Sequence, residues 1–229
     1  MQQFGMFAKY WEPGRVKTRL ASRTGKIAAS QVYRSFITTM VHRFSNIATT
    51  RVIAFTPPEH ESDFAKIADE NWQLVPQANG DLGQRMQAYF EQSLSRGASR
   101  VVLVGSDSPS LPREIVTQAF HLLETATVVL GPSSDGGYYL VGASKDVPPI
   151  FDGIDWSSKR VWQQTVTCLK RNNVDFAELP KWYDVDDLDD LRQLNEELTQ
   201  LKRSDHSWYE LAEIVSQTLA AVGDRCTIA

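Results

Sequence analysis

The sequence predicts an α/β fold in which helices cover both faces of a mainly parallel sheet, giving three layers. Segments of strand and helix character alternate over most of the 229 residues, which is the order expected when helices join parallel strands. The apolar runs Val101–Val104 and Thr127–Leu130 are short, rich in β-branched residues and free of polar alternation. Such runs are typical of strands that are buried on both faces.

The individual elements follow from apolar spacing and from the turn residues between them. Strands are predicted at Phe4–Tyr10, Arg51–Phe55, Trp72–Pro76, Arg100–Val104, Thr127–Leu130, Tyr138–Gly142 and Val174–Leu179. Helices are predicted at Lys26–Phe44, Glu61–Glu70, Leu82–Ser95, Pro112–Thr125, Ser157–Asn172, Asp187–Lys202 and Ser207–Val222, and Trp11–Leu20 is predicted to be a loop. We divide the chain into a main domain, residues 1–203, and a C-terminal helical appendage, residues 204–229, which packs on it or serves oligomerisation.

Composition narrows the possible classes of function. The net charge of -4 gives no electrostatic reason to bind nucleic acid or an anionic membrane, and no apolar run reaches the ~20 residues of a membrane span. The two cysteines, Cys168 and Cys226, are too far apart for a redox pair, and the four histidines have no zinc spacing. A cytoplasmic protein without a signal peptide is therefore expected.

The segment Gly105–Pro109 is the strongest local indication of a site. It follows the buried strand Arg100–Val104 and places Asp107 just beyond its carboxyl end, where open α/β sheets bind ligands. A carboxylate in that position suits a hard divalent cation, which can in turn hold a diphosphate. The alternative is that Asp107 only caps the helix that follows.

A basic loop follows the first predicted strand. Arg15, Lys17 and Arg19 alternate with uncharged residues directly after the Pro13-Gly14 turn. Guanidinium and ammonium groups at the end of a strand can neutralise a diphosphate, and backbone N–H groups of such a loop can bind it as well. Phosphate binding is the favoured interpretation, and a solvated basic patch is the alternative. The sequence contains neither a Walker A motif nor GxGxxG.

Three further segments combine acids with turn residues. Gly80–Arg85 could bring backbone close to a planar ring through its glycines, although Asp81 alone is more typical of a helix cap. Asp135–Tyr139 could be a plain hairpin turn or could present Asp135 to a site near Asp107. In Asp184–Asp187, Asp184 and Asp186 project to the same side, and Asp186 could complete a magnesium or manganese site with Asp107. The alternative is an acid-rich helix N-terminus, which the helix dipole favours.

Several of these segments together resemble one bacterial family. The blocks are Phe7–Lys9, Pro13–Leu20, Gly80–Met86, Gly105–Pro109, Gly131-Pro132, Asp135–Gly142, Trp156-Ser157 and Asp184–Asp186. In this order they resemble the family long described as domain of unknown function 2064, whose members are labelled as glycosyltransferases related to arsenosugar biosynthesis. The resemblance covers residues 4 to 192 and implies a GT-A fold, the Rossmann-like sheet of nucleotide-diphospho-sugar transferases.

The resemblance also implies roles for individual residues. Nucleotide binding would fall on Lys9, Gly14, Arg15, Lys17, Arg19, Gly80, Asp81, Gly83, Arg85 and Ser106. Catalysis would fall on Asp107 and Asp135, and Mg²⁺ or Mn²⁺ would be held by Asp107 and Asp186. The acceptor side would include Gly136, Gly137, Tyr138, Trp156 and Asp184. Two departures are that Trp11 replaces a more usual proline and that the central motif carries one acid rather than Asp-x-Asp.

The function implied is metal-assisted glycosyl transfer from a nucleotide-diphospho-sugar donor to a small-molecule acceptor. Metal and basic residues would stabilise the leaving nucleoside diphosphate, and Asp135 would deprotonate the acceptor. A nucleotidyltransferase on the same fold, which attacks a nucleoside triphosphate and releases pyrophosphate, is the first alternative. The second is a non-catalytic nucleotide-binding protein. A homo-oligomer is possible with any of the three.

Overall fold

A seven-stranded sheet lies at the centre of the computed structural model, which describes residues 1–147, 150–201 and 208–227. The strands are β1 (Gln2–Lys9), β2 (Thr50–Thr56), β3 (Trp72–Pro76), β4 (Arg100–Gly105), β5 (Val128–Pro132), β6 (Tyr138–Ser144) and β7 (Phe176–Glu178). Their order across the sheet is β3-β2-β1-β4-β6-β5-β7. All seven predicted strands are therefore present, each within a few residues of its predicted bounds.

The sheet is mainly parallel, as predicted. Strands β1, β2, β3 and β4 pair in parallel, and so do β5 and β7. Strand β6 alone runs antiparallel to its neighbours β4 and β5. Strands β2 and β3 lie on one side of β1, and β4 lies on the other side. The strand order thus reverses between β1 and β4, which is where α/β sheets form a ligand crevice.

Helices cover the two faces. They are α1 (Thr18–Thr24), α2 (Lys26–Arg43), α3 (Glu61–Ala65), α4 (Leu82–Ser95), α5 (Arg113–Leu122), α6 (Val161–Arg171), α7 (Leu188–Leu201) and α8 (Tyr209–Thr227). None of these described helices is both long enough and apolar enough to cross a membrane. The α/β/α class predicted from the sequence is confirmed.

Burial of the sheet on both faces explains why its central strands lack polar alternation. In β4, Val102 and Val104 belong to the apolar cluster that includes helices α2, α5, α7 and α8. Val101 and Leu103 point to the opposite side, into the cluster that includes helices α4 and α6. Both sets of side chains are at most 3% exposed, so polar residues would be costly on either face.

Several predicted boundaries differ from the structure, including the ends of α5 and α8, which lie at Leu122 and Thr227 rather than at Thr125 and Val222. The loop predicted at Trp11–Leu20 ends early, because α1 begins at Thr18. Helix α3 stops at Ala65 rather than Glu70, and α6 starts at Val161 rather than Ser157. Ser157 has a positive φ of 66°, which excludes it from a right-handed helix.

The C-terminal helix packs on the same core as the sheet. Helix α8 contacts α1, α2 and α7. Trp208, Leu211 and Val215 are at most 4% exposed and belong to the apolar cluster around α2. The predicted domain boundary at 203/204 lies outside the described residues. From these contacts we infer that α8 stabilises the main domain.

Replacing Trp208 by alanine should destabilise the whole protein. Its indole is 4% exposed and stacks on the Arg43 guanidinium at 4.0 Å, so truncation leaves a cavity and should lower the free energy of unfolding by about 3–5 kcal/mol. Tyr209→Ala is the matched control because Tyr209 is 50% exposed. Urea unfolding measures both variants, and equal midpoints for Trp208→Ala and the wild type would contradict the prediction.

Candidate active site

A cleft of about 310 Å³ opens at the carboxyl ends of β1 and β4, where the strand order reverses. It is lined by Lys9, Arg15, Val16, Lys17, Thr18, Arg19, Tyr33, Asp107 and Asp186. The β1 residue Phe7 pairs with Gly105 of β4, so the basic loop after β1 and the Asp107 loop after β4 emerge side by side. Seven of the nine lining residues come from the basic loop and the Asp107 and Asp186 segments chosen from the sequence.

The basic loop turns sharply before it enters α1. Gly14 has a φ of 85°, which is readily available only to glycine. Lys17 takes the left-handed conformation at φ 45° and ψ 48°, directly before the first residue of α1. For a lysine this conformation costs about 1 kcal/mol or more. Lys9, the last residue of β1, stabilises the turn because its Nζ donates to the Arg15 carbonyl at 2.9 Å.

Lys17 lies at the point where the two predicted metal ligands meet. Its Nζ is 2.5 Å from Asp107 Oδ1 and 3.0 Å from Asp186 Oδ1. Arg19 reaches the other oxygen of Asp186 at 2.5 Å. The Lys17 side chain is 4% exposed, whereas Asp107 and Asp186 are 43% and 30% exposed. The alternative that Asp107 only caps the following helix is wrong, because Pro112 occupies the N-cap position of α5 and Asp107 instead forms an ion pair with Lys17 across the cleft.

The surroundings of Lys17 favour its charged form. Burial by itself would lower the pKa of Lys17, but the Asp107 and Asp186 carboxylates outweigh it, so the pKa lies above its ordinary value. The rings of Tyr33 and Phe36 lie 5.7 and 5.8 Å from Nζ and add a favourable cation–π interaction. The ammonium thus stays protonated across the physiological pH range.

The Asp107 loop is held from three directions. Tyr33 and Ser106 share a hydrogen bond of 2.7 Å between their hydroxyls. Arg43 donates from Nη1 to the Pro109 carbonyl at 2.8 Å. The backbone N–H of Val185 donates to the Asp107 carbonyl at 2.9 Å, which ties the loop after β7 to the loop after β4. Ser106, predicted to bind nucleotide, here supports the loop.

Asp184 is the acid whose titration the fold alters most clearly. Removal from water raises its pKa from 3.8 to about 6, with further contributions from the charges of Asp107 and Asp135. Ser108 opposes the shift because its hydroxyl donates to Asp184 Oδ1 at 2.6 Å. Asp184 therefore stands beside the Asp107 loop and titrates nearer neutrality than an ordinary aspartate.

The donor set around Lys17 suits a divalent cation in part. Asp107 and Asp186 supply the hard carboxylate oxygens that Mg²⁺ and Mn²⁺ prefer, and the two oxygens already converge on one positive charge. Among residues 1–147, 150–201 and 208–227, no group of three or more His, Cys, Asp or Glu is arranged to hold a metal. Two carboxylates are enough for Mg²⁺ when substrate phosphates and water complete its shell.

Gly80, Asp81, Gly83 and Arg85 surround the start of α4. Asp81 caps that helix in a full capping box with Gln84, so the helix-cap interpretation is confirmed for Asp81. Arg85 donates from Nε to the Gly80 carbonyl at 2.8 Å and lines a second cavity of about 230 Å³ with the ends of β1, β2 and β3. This cavity lies on the opposite side of β1 from β4.

The predicted acceptor residues divide between a packed wall and a turn. Trp156 lies against Gly83 so closely that a Cβ on Gly83 would come within 2.5 Å of the indole Nε1. Its ring meets that of Tyr138 edge-on, with centroids 6.3 Å apart. Asp135 forms the β5–β6 turn, since its Oδ1 accepts from the Ser133 hydroxyl and from the Gly137 N–H. The predicted hairpin turn is thus present.

Gly136 marks how tightly this turn is packed. Its φ is 97°, and a Cβ at that position would lie 2.5 Å from the Lys159 carbonyl oxygen. Its own carbonyl accepts from the Trp162 N–H at 2.9 Å. Gly136 and Gly137 therefore let the turn approach the start of α6, and Asp135 is exposed at its tip.

Comparison with protein families decides the membership of the chain. Residues 39–158 match the family described as "Uncharacterized protein conserved in bacteria (DUF2064)". The chain belongs to the DUF2064 family. Its resemblance to this family, seen in the ordered motif blocks, is confirmed. No curated protein matches this DUF2064 chain.

Solved structures similar to this DUF2064 protein share its fold, and some of them are described as transferases. A provisionally assigned nucleotide-diphospho-sugar transferase from Desulfovibrio desulfuricans is 31% identical, with 97% of each chain covered and a TM-score of 0.87. A nucleotidyl transferase from Methanothermobacter is 10% identical, with 88% and 99% covered and a TM-score of 0.59. Rv0371c from Mycobacterium tuberculosis, in a manganese complex, is 18% identical, with 84% and 96% covered and a TM-score of 0.51. The last two show the shared fold alone.

Two residues of the site have no distinct signal in the DUF2064 sequence. Tyr33 fits the apolar face of α2, so nothing in the sequence marks its hydroxyl for the Asp107 loop, where it also accepts from the Lys9 N–H at 3.1 Å. Its burial raises the pKa of Tyr33 to about 12. Arg43 ends the same helix as an ordinary basic residue, and only the folded chain brings it to Pro109.

Replacing Asp184 by asparagine should change how stability varies with pH. The folded protein binds the Asp184 proton more tightly than the unfolded chain, so it loses relative stability as the pH rises from about 4 through 6. In Asp184→Asn the amide oxygen still accepts from Ser108 and the loss disappears. We expect equal stability near pH 4 and a gain of about 1–2 kcal/mol at pH 8. Urea unfolding in EDTA measures this, and parallel profiles would contradict it.

Proposed function

We propose that this DUF2064 protein transfers a glycosyl group from a nucleotide-diphospho-sugar to a small-molecule acceptor. The observation that carries the proposal is the cleft at the β1/β4 reversal, in which basic side chains and two acids meet around Lys17. The 31% identical relative supports the class of donor. The nucleotide-sugar transferase fold supports a transferase in general, without distinguishing the group that is transferred.

The basic side chains of the cleft are suited to a diphosphate. Arg15 and Arg19 are 73% and 67% exposed at its rim, and their planar guanidinium groups can each bind two phosphate oxygens. Lys9 and Lys17 add two ammonium groups to the lining of the cleft, and that of Lys17 is buried. Together they would stabilise the negative charge that develops on the leaving nucleoside diphosphate.

The base and ribose would extend across the end of β1 from the phosphates. The second cavity, lined by Phe7, Gln77, Arg85 and Tyr89 among others, lies there. Gln77 is anchored because its Nε2 donates to the Ala54 carbonyl at 2.8 Å. We assign this cavity to the nucleoside, with Gly80 and Asp81 at its border.

Asp107 and Asp186 would hold a divalent metal, Mg²⁺ or Mn²⁺. When bound, the metal would act as a Lewis acid toward the diphosphate. The manganese complex of the Mycobacterium tuberculosis protein supports a divalent metal in this fold. Arg19, paired with Asp186 at 2.5 Å, fixes the orientation of that carboxylate.

On the acceptor side, a carboxylate would take the proton of the attacking hydroxyl. The acceptor oxygen forms a bond to the anomeric carbon, the bond from that carbon to the diphosphate oxygen breaks, and the proton passes to Asp135. Asp184 is the second candidate, because its pKa of about 6 lies closer to neutrality. Tyr138 and Trp156 would form the wall against which the acceptor lies. We expect the reaction to take place in the reducing cytoplasm that the cysteine pattern predicts.

Nucleotidyl transfer is the second candidate function. The four basic side chains Lys9, Arg15, Lys17 and Arg19 exceed the two acids of the cleft in charge, and that excess would match a triphosphate as well as a diphosphate. The nucleotidyl transferase from Methanothermobacter shares the fold. In this reaction an acceptor phosphate would attack the α-phosphorus and release pyrophosphate.

A ligand screen followed by product analysis tests these functions. Thermal shifts are measured with UDP-, GDP-, ADP-, CDP- and dTDP-sugars and with nucleoside triphosphates, each with and without Mn²⁺, since ligands of the folded state raise its Tm. Nucleoside diphosphate release with a sugar donor would support glycosyl transfer. Pyrophosphate release would replace it with nucleotidyl transfer, and no shift with any nucleotide would reject both enzymes.

Asp107→Asn should abolish turnover and lower the Tm, while the protein still folds because Asp186 remains paired with Lys17. The change keeps the volume of the side chain but removes the charge that faces Lys17 and the metal, so kcat/KM should fall at least ~100-fold. Asp63→Asn is the control, because Asp63 lies within α3, pairs with His60 and Lys66, and does not line the cleft. Product release and Tm are measured for both variants. Wild-type activity in Asp107→Asn would refute the assignment.

A further inference from the structure

The ammonium of Lys17 fills the space that a metal between Asp107 and Asp186 would need. Its Nζ contacts one oxygen of each carboxylate at 2.5 and 3.0 Å. A magnesium or manganese ion bound to the same two oxygens would lie at ~2.0–2.2 Å from each. Two cations at one point exclude each other by size and by charge, because the Lys17 side chain is only 4% exposed and solvent therefore screens its charge weakly.

The charges of the cluster lead to the same conclusion. Lys17 and Arg19 already neutralise Asp107 and Asp186 in the structure. A divalent metal added alone would leave an excess of positive charge, whereas a metal that enters together with a diphosphate would leave the cluster close to neutral. The diphosphate also offers Lys17 a new partner, since Arg15, Thr18 and Lys17 line the same cleft.

We propose that Lys17 is a placeholder cation that keeps the metal site closed until a nucleotide phosphate draws its ammonium away. Metal and nucleotide then bind with positive coupling, since each stabilises the arrangement in which Lys17 contacts phosphate instead of the two carboxylates. The inference rests on the metal ligands of the proposed function. It adds that the free protein has low affinity for the metal alone.

The surroundings of Lys17 allow the ammonium to change partners without leaving the cleft. The aromatic rings of Tyr33 and Phe36 lie beside Nζ at 5.7 and 5.8 Å, and neither ring fixes its direction as a hydrogen bond would. The backbone of Lys17 is set at φ 45° and ψ 48° before α1. A rotation of the long side chain is therefore enough to move Nζ from the acids to a phosphate.

Manganese binding to the nucleotide-free protein tests the placeholder. Free Mn²⁺ is measured by EPR during titration of the full-length wild type, Lys17→Met and Arg19→Met. Lys17→Met removes one positive charge and opens the point between the acids, so it should bind Mn²⁺ at least tenfold more tightly than the wild type. Arg19→Met removes the same charge from Asp186 but leaves Lys17 in place, so its affinity should rise less than threefold.

Two results would overturn the placeholder and leave the proposed function standing. One is a wild type that binds Mn²⁺ as tightly as Lys17→Met. The other is an increase in Mn²⁺ affinity in Arg19→Met equal to that in Lys17→Met, which would show that the net charge alone causes the effect. If Lys17→Met fails to fold, as judged by its Tm, Lys17→Gln replaces it. Inorganic pyrophosphate should also increase Mn²⁺ binding to the wild type, beyond that measured in pyrophosphate without protein.

A third variant distinguishes an error in the assigned metal ligands from an error in the role of Lys17. Lys17→Met combined with Asp107→Asn should lose the tight Mn²⁺ binding of Lys17→Met. Retained binding would place the ion elsewhere and reject the metal ligands of the proposed function. Absence of Mn²⁺ binding in every variant, with pyrophosphate present, would reject the metal and the placeholder together.

Discussion

The buried ion pairs of Lys17 are the interaction on which the site depends. An ammonium that is 4% exposed is stable only when opposite charges compensate its lost hydration, and here they come from loops after β4 and β7. Removal of either acid would leave the ammonium undercompensated. Lys17 can therefore be buried in the cleft only if the loops after β1, β4 and β7 lie next to one another. The register of β1 against β4 brings the first two of these loops together.

The fold could be predicted because its causes are local. Apolar runs such as Val101–Val104 need burial on both faces, and proline and glycine mark the turns between elements. Strand β3 and helix α4 have the predicted bounds for this reason. The early start of α1 was missed because the loop residues before it carry no N-cap signal: Lys17 occupies the cap position without a side-chain bond.

The candidate site could be predicted only in part. Asp107 and the basic loop were found because each directly follows a strand, and strand ends gather at one edge of a parallel sheet. The pairing of Lys17 with both acids depends on loop conformations that no spacing in the sequence encodes. Tyr33 was missed for a related reason, since a tyrosine on an apolar helix face gives no sign of the hydroxyl partner it meets in Ser106.

The single acid of the central motif gains its significance from this long-range arrangement. An Asp-x-Asp motif would place two carboxylates on one loop, whereas here the carboxylate that meets Asp107 at Lys17 is Asp186, from the loop after β7. The hydrogen bond from the Val185 N–H to the Asp107 carbonyl at 2.9 Å holds the two loops together. Arg43 supports the same loop through Pro109 and stacks on Trp208 at 4.0 Å. A shift of Trp208, which precedes α8, would therefore move Arg43 and with it the loop that contains Asp107. The C-terminal helix thus supports the geometry of the acids in the cleft as well as the stability of the core.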